Sequence, residues 1–568
     1  LGIDIQITKK FNDKSDYLCR SMQVFSKHKE LIYEAVESIA SRTYNTVYYD
    51  NPKEYGEGEK EKGLAAFQAR FNTDFTDLLV KSEDWIGEEV SPYLQTGLGI
   101  RYPYLTEEVL IKNSLEGWKS WRNVDIEERA GLLVEALERI KGRFFELGFA
   151  TMHTTGQGFM MAFQASGPHA CDRALEAIAM AFDEIKRFPE QIKWDIAGPK
   201  SLPLRKTYKP IPRGISLVIG CSTFPTWNSL PGIFASLVTG NPVIVKPHPK
   251  AVLPMAIIVA EIRNLLKEAG LRMDTIQLAV DTSAKPITKI LAEHPEVKLI
   301  DYTGNSKFGN YIEMLPKITF TEKAAINPVI IDSTKDIEGL VNNLAFSISL
   351  YSRQMCTAPQ NIFVPASGIK VTGGVVSYDD FCDRLNKALT ELLDNKWGPS
   401  TLGCIQNDGT LKKVKEVSMT LGTQVADGKA FKMPEFESAR TQSIKVLSVD
   451  GGKQDVFQRE IFGPLVFVIK TENTSKSIEL ALRGSQMYGS ITCLVHCTDF
   501  MLSKEIEEIF NNAFVPVTFN LTSQVYVNQH AAFSDLHGSG ATASGNASFV
   551  DPGFITKRFV WIGNRYMP

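Results

Sequence analysis

Apolar positions in the first part of the chain recur at helical spacing. Over residues 27–40, Leu31, Ile32, Ala35, Val36 and Ile39 fall on one helix face. Residues 51–63 (NPKEYGEGEKEKG) are polar and glycine-bearing, which predicts a loop. Residues 1–105 therefore read as a mostly helical, polar extension without evident chemistry, suited to packing or to a lid. Asp125 followed by Glu128 resembles a capping box and opens a helix over residues 126–145, with Leu132, Leu133, Ala136, Leu137 and Ile140 at helical spacing. A second helix is expected from about Cys171 to Arg187. Residues 202–212 carry Pro, Lys and Arg and predict a connector or an extended ribbon.

The pattern changes at Gly214. Strand-like apolar runs (214–221, 241–247, 275–280 and 297–304) now alternate with helical runs (228–238, 251–269 and 285–292). Near-continuous apolar strands joined by helices imply a parallel sheet covered on both faces, a doubly wound nucleotide-binding architecture. A second α/β series follows, with strands expected at 327–332, 361–365, 464–469, 490–496 and 514–519 and helices at 378–393 and 476–482. The tail, residues 554–562 (FITKRFVWI), predicts a terminal strand. A strand at a chain end often pairs outside its own sheet.

Composition narrows the class. The 568 residues are 43% hydrophobic and 22% charged, ordinary values for a folded protein. Lys and Arg total 62 against 65 Asp and Glu, so the balance points to neither nucleic acid nor a membrane surface. Eight cysteines without a CxxC pair are too sparse for a disulfide scaffold or a zinc site. Reduced thiols in a cytoplasmic protein are the expectation. No apolar run reaches about 18 residues, which predicts no transmembrane helix. The charged start, LGIDIQITKKFNDKSD, lacks an apolar core and does not read as a signal peptide.

Two residues could carry chemistry together. Cys356, in SRQMCTAPQNIFVP, lies between an apolar helix and a strand, where backbone N–H groups can activate a thiol and stabilise an oxyanion. Alone it reads first as a buried structural cysteine. Glu322, in ITFTEKAAINPVIID, is expected just before a strand at the seam of the two α/β series, where a carboxylate could activate water. Three segments follow strands of the parallel series: CSTFPTW (221–227), KPHP (246–249) and YTGNS (302–306). Carboxyl ends of strands are where open α/β sheets bind ligands. A fourth, QREIFGPL (458–465), offers a carboxylate and an aromatic ring. There is no GxGxxG.

These pieces, in this order, resemble the aldehyde dehydrogenase superfamily from about Arg122 onward. Glu322 and Cys356 lie 34 residues apart and Thr223 and Lys246 lie 23 apart, spacings typical of that family, and EIFGP (460–464) is a specific family signature. The long N-terminal extension, TEKAAINP and FSDLHGSG look closest to the phenylacetate-degradation (PaaN-type) branch. The resemblance implies an aldehyde dehydrogenase-like fold: a doubly wound cofactor domain (106–199 and 213–324), an α/β catalytic domain (325–530) and a small oligomerisation ribbon (200–212 and 549–568). It also implies a mechanism. The Cys356 thiolate attacks an aldehyde, hydride leaves for NAD(P), and Glu322 directs water onto the resulting thioester. Lys246 would bind the adenosine ribose, Gly304 and Asn305 would approach the pyrophosphate, Glu460 would hold the nicotinamide ribose, and Phe462 would pack beside it. A homodimer or homotetramer is implied. A semialdehyde from aromatic ring opening, free or CoA-linked, is the expected substrate, with any hydratase supplied by a separate protein.

Three departures accompany the resemblance. Thr223 stands where the family usually has the asparagine that donates to the oxyanion. Either Thr223 substitutes, Asn228 reaches in, or catalysis is slow, since losing such a donor commonly costs about 10²–10³ in rate. Pro249 stands where NAD-preferring members carry glutamate, and Lys246, His248 and Lys250 add positive charge. This favours NADP, with NAD as the alternative. VDTSAKP (280–286) replaces a segment where many members carry glycines. The competing readings are a CoA-dependent acyl reductase or acylating dehydrogenase, and a non-catalytic subunit that kept the fold.

Overall fold

The computed structural model describes residues 23–196, 202–323, 325–527, 531–537 and 549–567. The charged start read above and the last three residues of FSDLHGSG lie outside the described residues.

The extension departs from its pattern. Residues 23–41 are helical, but the helix Glu59–Gln68 begins inside the stretch expected to be a loop. Tertiary packing overrides the polar composition there. Phe67 is buried, stacked near Phe149 and His153. Beyond Gln68 the extension is largely irregular, with a short ladder pairing Trp85–Ile86 with Tyr102–Pro103. It is pinned at Glu89. That buried carboxylate accepts the Val252 and Leu253 N–H groups, at 2.6 and 2.9 Å, at the start of the helix Leu253–Glu268. It also accepts the Tyr102 hydroxyl at 2.5 Å. A buried anion at a helix N-terminus is stabilised by the unpaired N–H groups it satisfies.

The Asp125 side chain accepts the Glu128 N–H and starts the helix Ile126–Lys141. That helix stops at Lys141 rather than running to Phe145. A second helix, Phe144–Thr155, follows and is buried all round, so no amphipathic stripe marks it.

An antiparallel ribbon comes next, with β1 (Gln191–Ile196) pairing β2 (Leu202–Pro212). The parallel sheet then consists of β3 (Ile215–Ile219), β4 (Val243–Lys246), β5 (Ile276–Leu278), β6 (Val297–Thr303) and β7 (Ile318–Glu322). Its order is β5-β4-β3-β6-β7. Burial of nearly every residue in β3 to β6 explains the apolar runs. The order reverses between β3 and β6, the position at which such sheets open a ligand crevice.

The second sheet holds β8 (Asn327–Ile331), β9 (Pro359–Pro365), β10 (Thr423–Ala426), β11 (Lys445–Asp450), β12 (Leu465–Thr471), β13 (Cys493–His496) and β14 (Val517–Phe519). Their order is β10-β11-β12-β9-β8-β13-β14, antiparallel only between β10 and β11. β10 escapes the sequence pattern because it is a short, half-exposed edge strand without an apolar run.

The tail differs from expectation in one respect: Gly553–Thr556 is a helical turn, and the strand, β15 (Phe559–Tyr566), starts later. β15 pairs with β2, from Phe559–Pro212 to Tyr566–Arg205, so the two segments expected to form a ribbon do so. The turn delivers Arg558 into the interior, where its guanidinium grips Asp301 of β6 at 2.6 and 2.9 Å, both side chains fully buried. This fork of charge-assisted bonds ties the ribbon to the parallel sheet.

Candidate active site

Glu322 is the last residue of β7 and stands shortly before β8, at the seam between the two sheets. Its carbonyl accepts the Gly304 N–H at 3.0 Å, so the loop after β6 and the carboxylate share one sheet edge. Cys356 arrives from the other sheet. The helix Ile337–Ser349 ends in a turn in which Tyr351, Ser352 and Arg353 all have positive φ (52, 47 and 58°). Non-glycine residues in this region cost on the order of 1–3 kcal/mol each and persist only where their surroundings over-determine them. Those surroundings are visible. Tyr351 donates to the Thr155 carbonyl at 2.5 Å, and Ser352 to the Leu402 and Gln442 carbonyls at 3.1 and 3.0 Å. Arg353 donates to the carbonyls of Pro359, Ile461 and Gly463. The Asn327 amide, at the start of β8, donates to the Cys356 carbonyl at 2.7 Å. The strained turn thus fixes where Cys356 sits.

Cys356, Glu322 and His537 meet. Their sulfur, carboxylate oxygen and ring nitrogen all lie within 4.8 Å of one another. The Glu322 oxygens are buried and accept no N–H or hydroxyl among the described residues. The Cys356 thiol stands against the carboxylate, and His537 Nε2 is 3.5 Å from it. Trp227 packs edge-on against the His537 ring, 4.9 Å between centroids. Cys356 and His537 line a cavity of about 160 Å³ with Met161, Phe224, Trp227, Leu350, Met355 and Tyr526. Asn228, Thr357, Gln164 and His169 are its other polar groups. Thr223 does not line it. Asn228 does, and its amide lies 3.3 Å from the Cys221 sulfur.

Burial pushes the Cys356 thiol well above its usual value, and the adjacent Glu322 carboxylate adds to this rise. The resting Cys356 side chain is therefore a neutral thiol near pH 7. Its alkylation by iodoacetamide is expected to rise with pH beyond pH 9. Glu322→Gln removes a negative neighbour and should lower the thiol pKa, raising the alkylation rate at pH 8 by about tenfold. A slower rate in the variant would instead make Glu322 the base for the thiol.

The remaining predicted residues border the crevice. Lys246 ends β4 but is turned into a buried ion pair with Asp281, Nζ to Oδ1 2.6 Å. Burial lowers its pKa, and Asp281 acts in the opposite direction. Gly304 follows β6, and a Cβ there would lie 2.5 Å from the Tyr302 hydroxyl, so a side chain would displace that ring. Asn305 caps the helix Ser306–Glu313, its side chain accepting the Phe308 N–H at 3.0 Å. Glu460 is partly buried, and burial raises its carboxyl pKa. Its one described backbone contact is the Ala325 N–H at 3.4 Å. Phe462 is half-buried in the same loop, where Gly463 takes a φ of 121°. Arg353 holds that loop against the Cys356 turn.

Sequence reasoning missed His537, Asn327, Arg353 and Asp281. His537 lies in FSDLHGSG, quoted above only for its flavour, and nothing in its spacing marks it as a neighbour of Cys356. Every cysteine among the described residues is a free thiol, as composition suggested. No helix among them is long and apolar enough to cross a membrane.

Comparison with known proteins agrees with this geometry. The chain is similar over 96% of its length to an NAD-dependent aldehyde dehydrogenase from Burkholderia multivorans, with a TM-score of 0.92, 39% identity and 98% of that structure covered. It is 22% identical to an NAD(+) benzaldehyde dehydrogenase from Pseudomonas putida, covering 84% of this chain and 93% of the relative. It is 23% identical to a 1-pyrroline-5-carboxylate dehydrogenase from Bacillus licheniformis, covering 66% and 70%. The sequence profile of the aldehyde dehydrogenase family matches residues 105–495, which include the parallel sheet, Glu322, the strained Cys356 turn and the Glu460 loop. With that profile spanning more than half of its length and the same fold around a paired thiol and carboxylate, the chain belongs to the aldehyde dehydrogenase family.

Proposed function

We propose that the chain oxidises an aldehyde to its carboxylic acid with Cys356 as nucleophile and Glu322 as base. The observation that carries this reading is the Cys356 thiol standing against the buried Glu322 carboxylate at the end of an apolar cavity. The crevice suits a dinucleotide. Gly304 and Asn305 stand at the start of the helix Ser306–Glu313, Glu460 offers a carboxylate whose pKa burial raises, and Lys246 with Asp281 offers a donor and an acceptor at the strand ends. Those residues would hold NAD(P), which when bound accepts a hydride from the substrate carbon.

The chain's own residues do the rest. Cys356 sulfur bonds to the aldehyde carbon as the carbonyl π pair moves to oxygen, and the thiol proton is released to solvent through the cavity, which gives the thiohemiacetal oxyanion. Asn228 lines the cavity and Thr223 does not, which supports Asn228 as the donor to the developing oxyanion. Once oxidation has left a thioester on Cys356, Glu322 takes a proton from water. The water oxygen attacks the acyl carbon, the acid leaves, and the thiol is restored. His537, beside both groups, positions the Glu322 carboxylate. A glutamate in contact with the cysteine favours hydrolysis over acyl transfer to CoA.

For the substrate, a semialdehyde from aromatic ring opening remains the specific candidate. No Lys or Arg lines the cavity among the described residues, so an apolar chain ending in an acyl thioester suits it better than a free carboxylate. A panel of benzaldehyde, phenylacetaldehyde and a long semialdehyde, as CoA thioester and as free acid, tests this with reduced cofactor as readout. The thioester is expected to exceed the free acid at least about tenfold in kcat/KM. Equal values would refute the substrate class, and no turnover with any of them would refute the activity.

The ribbon supports self-association. β15 presents Val560 and Ile562, exposed, on one face, and Ile211 on β2 and Trp194 on β1 are also exposed. Light scattering is expected to give a dimer or tetramer, and Val560→Lys with Ile562→Lys a monomer. A monomeric wild type would remove the ribbon from assembly.

A further inference from the structure

We propose that Asp281, paired with Lys246 and backed by Glu88 of the N-terminal extension, makes the adenosine-ribose end of the cofactor site select a free 2′-hydroxyl, so that the chain uses NAD in preference to NADP. The proposal rests on the reading above that the strand ends of the parallel sheet hold the dinucleotide.

The sequence places three positive groups after β4, namely Lys246, His248 and Lys250, with no carboxylate among them. The fold rewrites that balance. Lys246 Nζ is 2.6 Å from Asp281 Oδ1, with both side chains 2% exposed, and it also donates to the Pro247 carbonyl at 2.6 Å. Asp281 is held in place as well, its second oxygen accepting the Ile287 N–H at 3.0 Å. It follows β5 in VDTSAKP, the segment that departs from the family's glycines. That departure therefore has content: it supplies the acid that Pro249 does not. In dinucleotide-binding sheets the acid that reads a ribose 2′-hydroxyl comes from the strand beside the first βα turn. Here it comes from the next strand over and reaches the lysine from the side.

His248 contributes no charge near pH 7. Burial, with Lys246 and Lys250 nearby, pushes its imidazole down to about 4. Its Nδ1 accepts the Lys250 N–H at 3.2 Å. A second carboxylate faces the pair from the extension. Glu88 accepts the Ser283 N–H at 3.1 Å on each of its oxygens and bonds the Ser283 hydroxyl. It acts electrostatically on both Lys246 and His248. Its neighbour Glu89, clamped to the start of the helix Leu253–Glu268, fixes that loop. Lys250, partly exposed, is the remaining cation on the β4 loop, with Lys285 exposed beyond it.

A 2′-phosphate brings about −1.5 to −2 charges. It would meet a lysine already neutralised and two carboxylates, a like-charge contact in a partly desolvated site. A 2′-hydroxyl has one proton to give and lone pairs to receive, which matches a carboxylate beside an ammonium.

Calorimetric titration of the full chain with NAD and with NADP, without aldehyde, tests this independently of turnover. The wild type is expected to bind NAD about 10²-fold more tightly. Asp281→Asn frees Lys246 and should reduce the ratio to below about tenfold, chiefly by tightening NADP. Glu88→Gln removes one facing charge and should reduce it about threefold. Equal or tighter binding of NADP by the wild type overturns the proposal, as does an unchanged ratio in a folded Asp281→Asn. If Asp281→Asn does not fold, Glu88→Gln carries the test, and an unchanged ratio there overturns it. Binding of neither dinucleotide overturns the cofactor site as well. NAD-selective binding without oxidation of any aldehyde leaves this proposal standing and refutes the activity.

Discussion

Replacing Cys356 by alanine is expected to lower aldehyde-dependent formation of reduced cofactor by about 10⁵-fold or more, the scale on which losing a covalent nucleophile acts. The side chain is small, partly exposed and lines the cavity, so its removal creates no buried void. Its position is held through its backbone, by the Asn327 amide on its carbonyl and by the braced turn before it. Thermal unfolding should therefore match the wild type, with stability changed by less than about 1 kcal/mol. Dinucleotide binding should also survive, because Lys246, Gly304 and Glu460 come from other segments. Loss of turnover with retained binding and stability isolates the thiol. Turnover within tenfold of wild type would remove Cys356 from the mechanism.

Glu322→Gln separates the two halves of the reaction. Glutamine keeps the size of the side chain and removes the base, so thiohemiacetal formation and oxidation should proceed while hydrolysis stalls. Stopped-flow absorbance is expected to show a burst of one reduced cofactor per active site. Steady-state turnover should then be lower by about 10²–10⁴-fold, the usual contribution of a general base. Intact-mass measurement should find the acyl group on Cys356, and hydroxylamine, which cleaves thioesters without a base, should restore turnover. A burst slowed as much as the steady state would assign Glu322 to the first half instead. The alkylation experiment bears on the same question, because a base needed by the thiol would slow alkylation when removed. His537→Ala should weaken the Glu322 step by misplacing the carboxylate and leave the burst largely intact.

Most strands of the two sheets, and the two side chains that meet as Cys356 and Glu322, were legible in the sequence. Parallel strands buried on both faces must be apolar along their length, so β3 to β6, β8, β9, β12 and β13 announce themselves. Cys356, Glu322, Lys246, Gly304 and Glu460 were singled out by their places beside expected strands, and the fold sets Cys356 against Glu322. The half-exposed edge strand β10 carries no such signal, and neither does the helix Phe144–Thr155, whose burial all round erases its amphipathic stripe. The helical turn inside the tail is set by where Arg558 must land, on Asp301.

Partners and charge balance belonged to the tertiary structure alone. A linear reading sums charges that are neighbours in the chain, so Lys246, His248 and Lys250 looked like a cationic patch. The fold sums charges that are neighbours in space. It sets Asp281 from the adjacent strand against Lys246, brings Glu88 from the far extension, and buries His248 into neutrality. His537 reaches Glu322 and Cys356 from a loop remote from both, and Arg353 joins the Cys356 turn to the Glu460 loop. Local periodicity and motif spacing are properties of consecutive residues and can be read along the chain. Which side chains face one another depends on which strand ends lie side by side, and that is decided only when the sheets form.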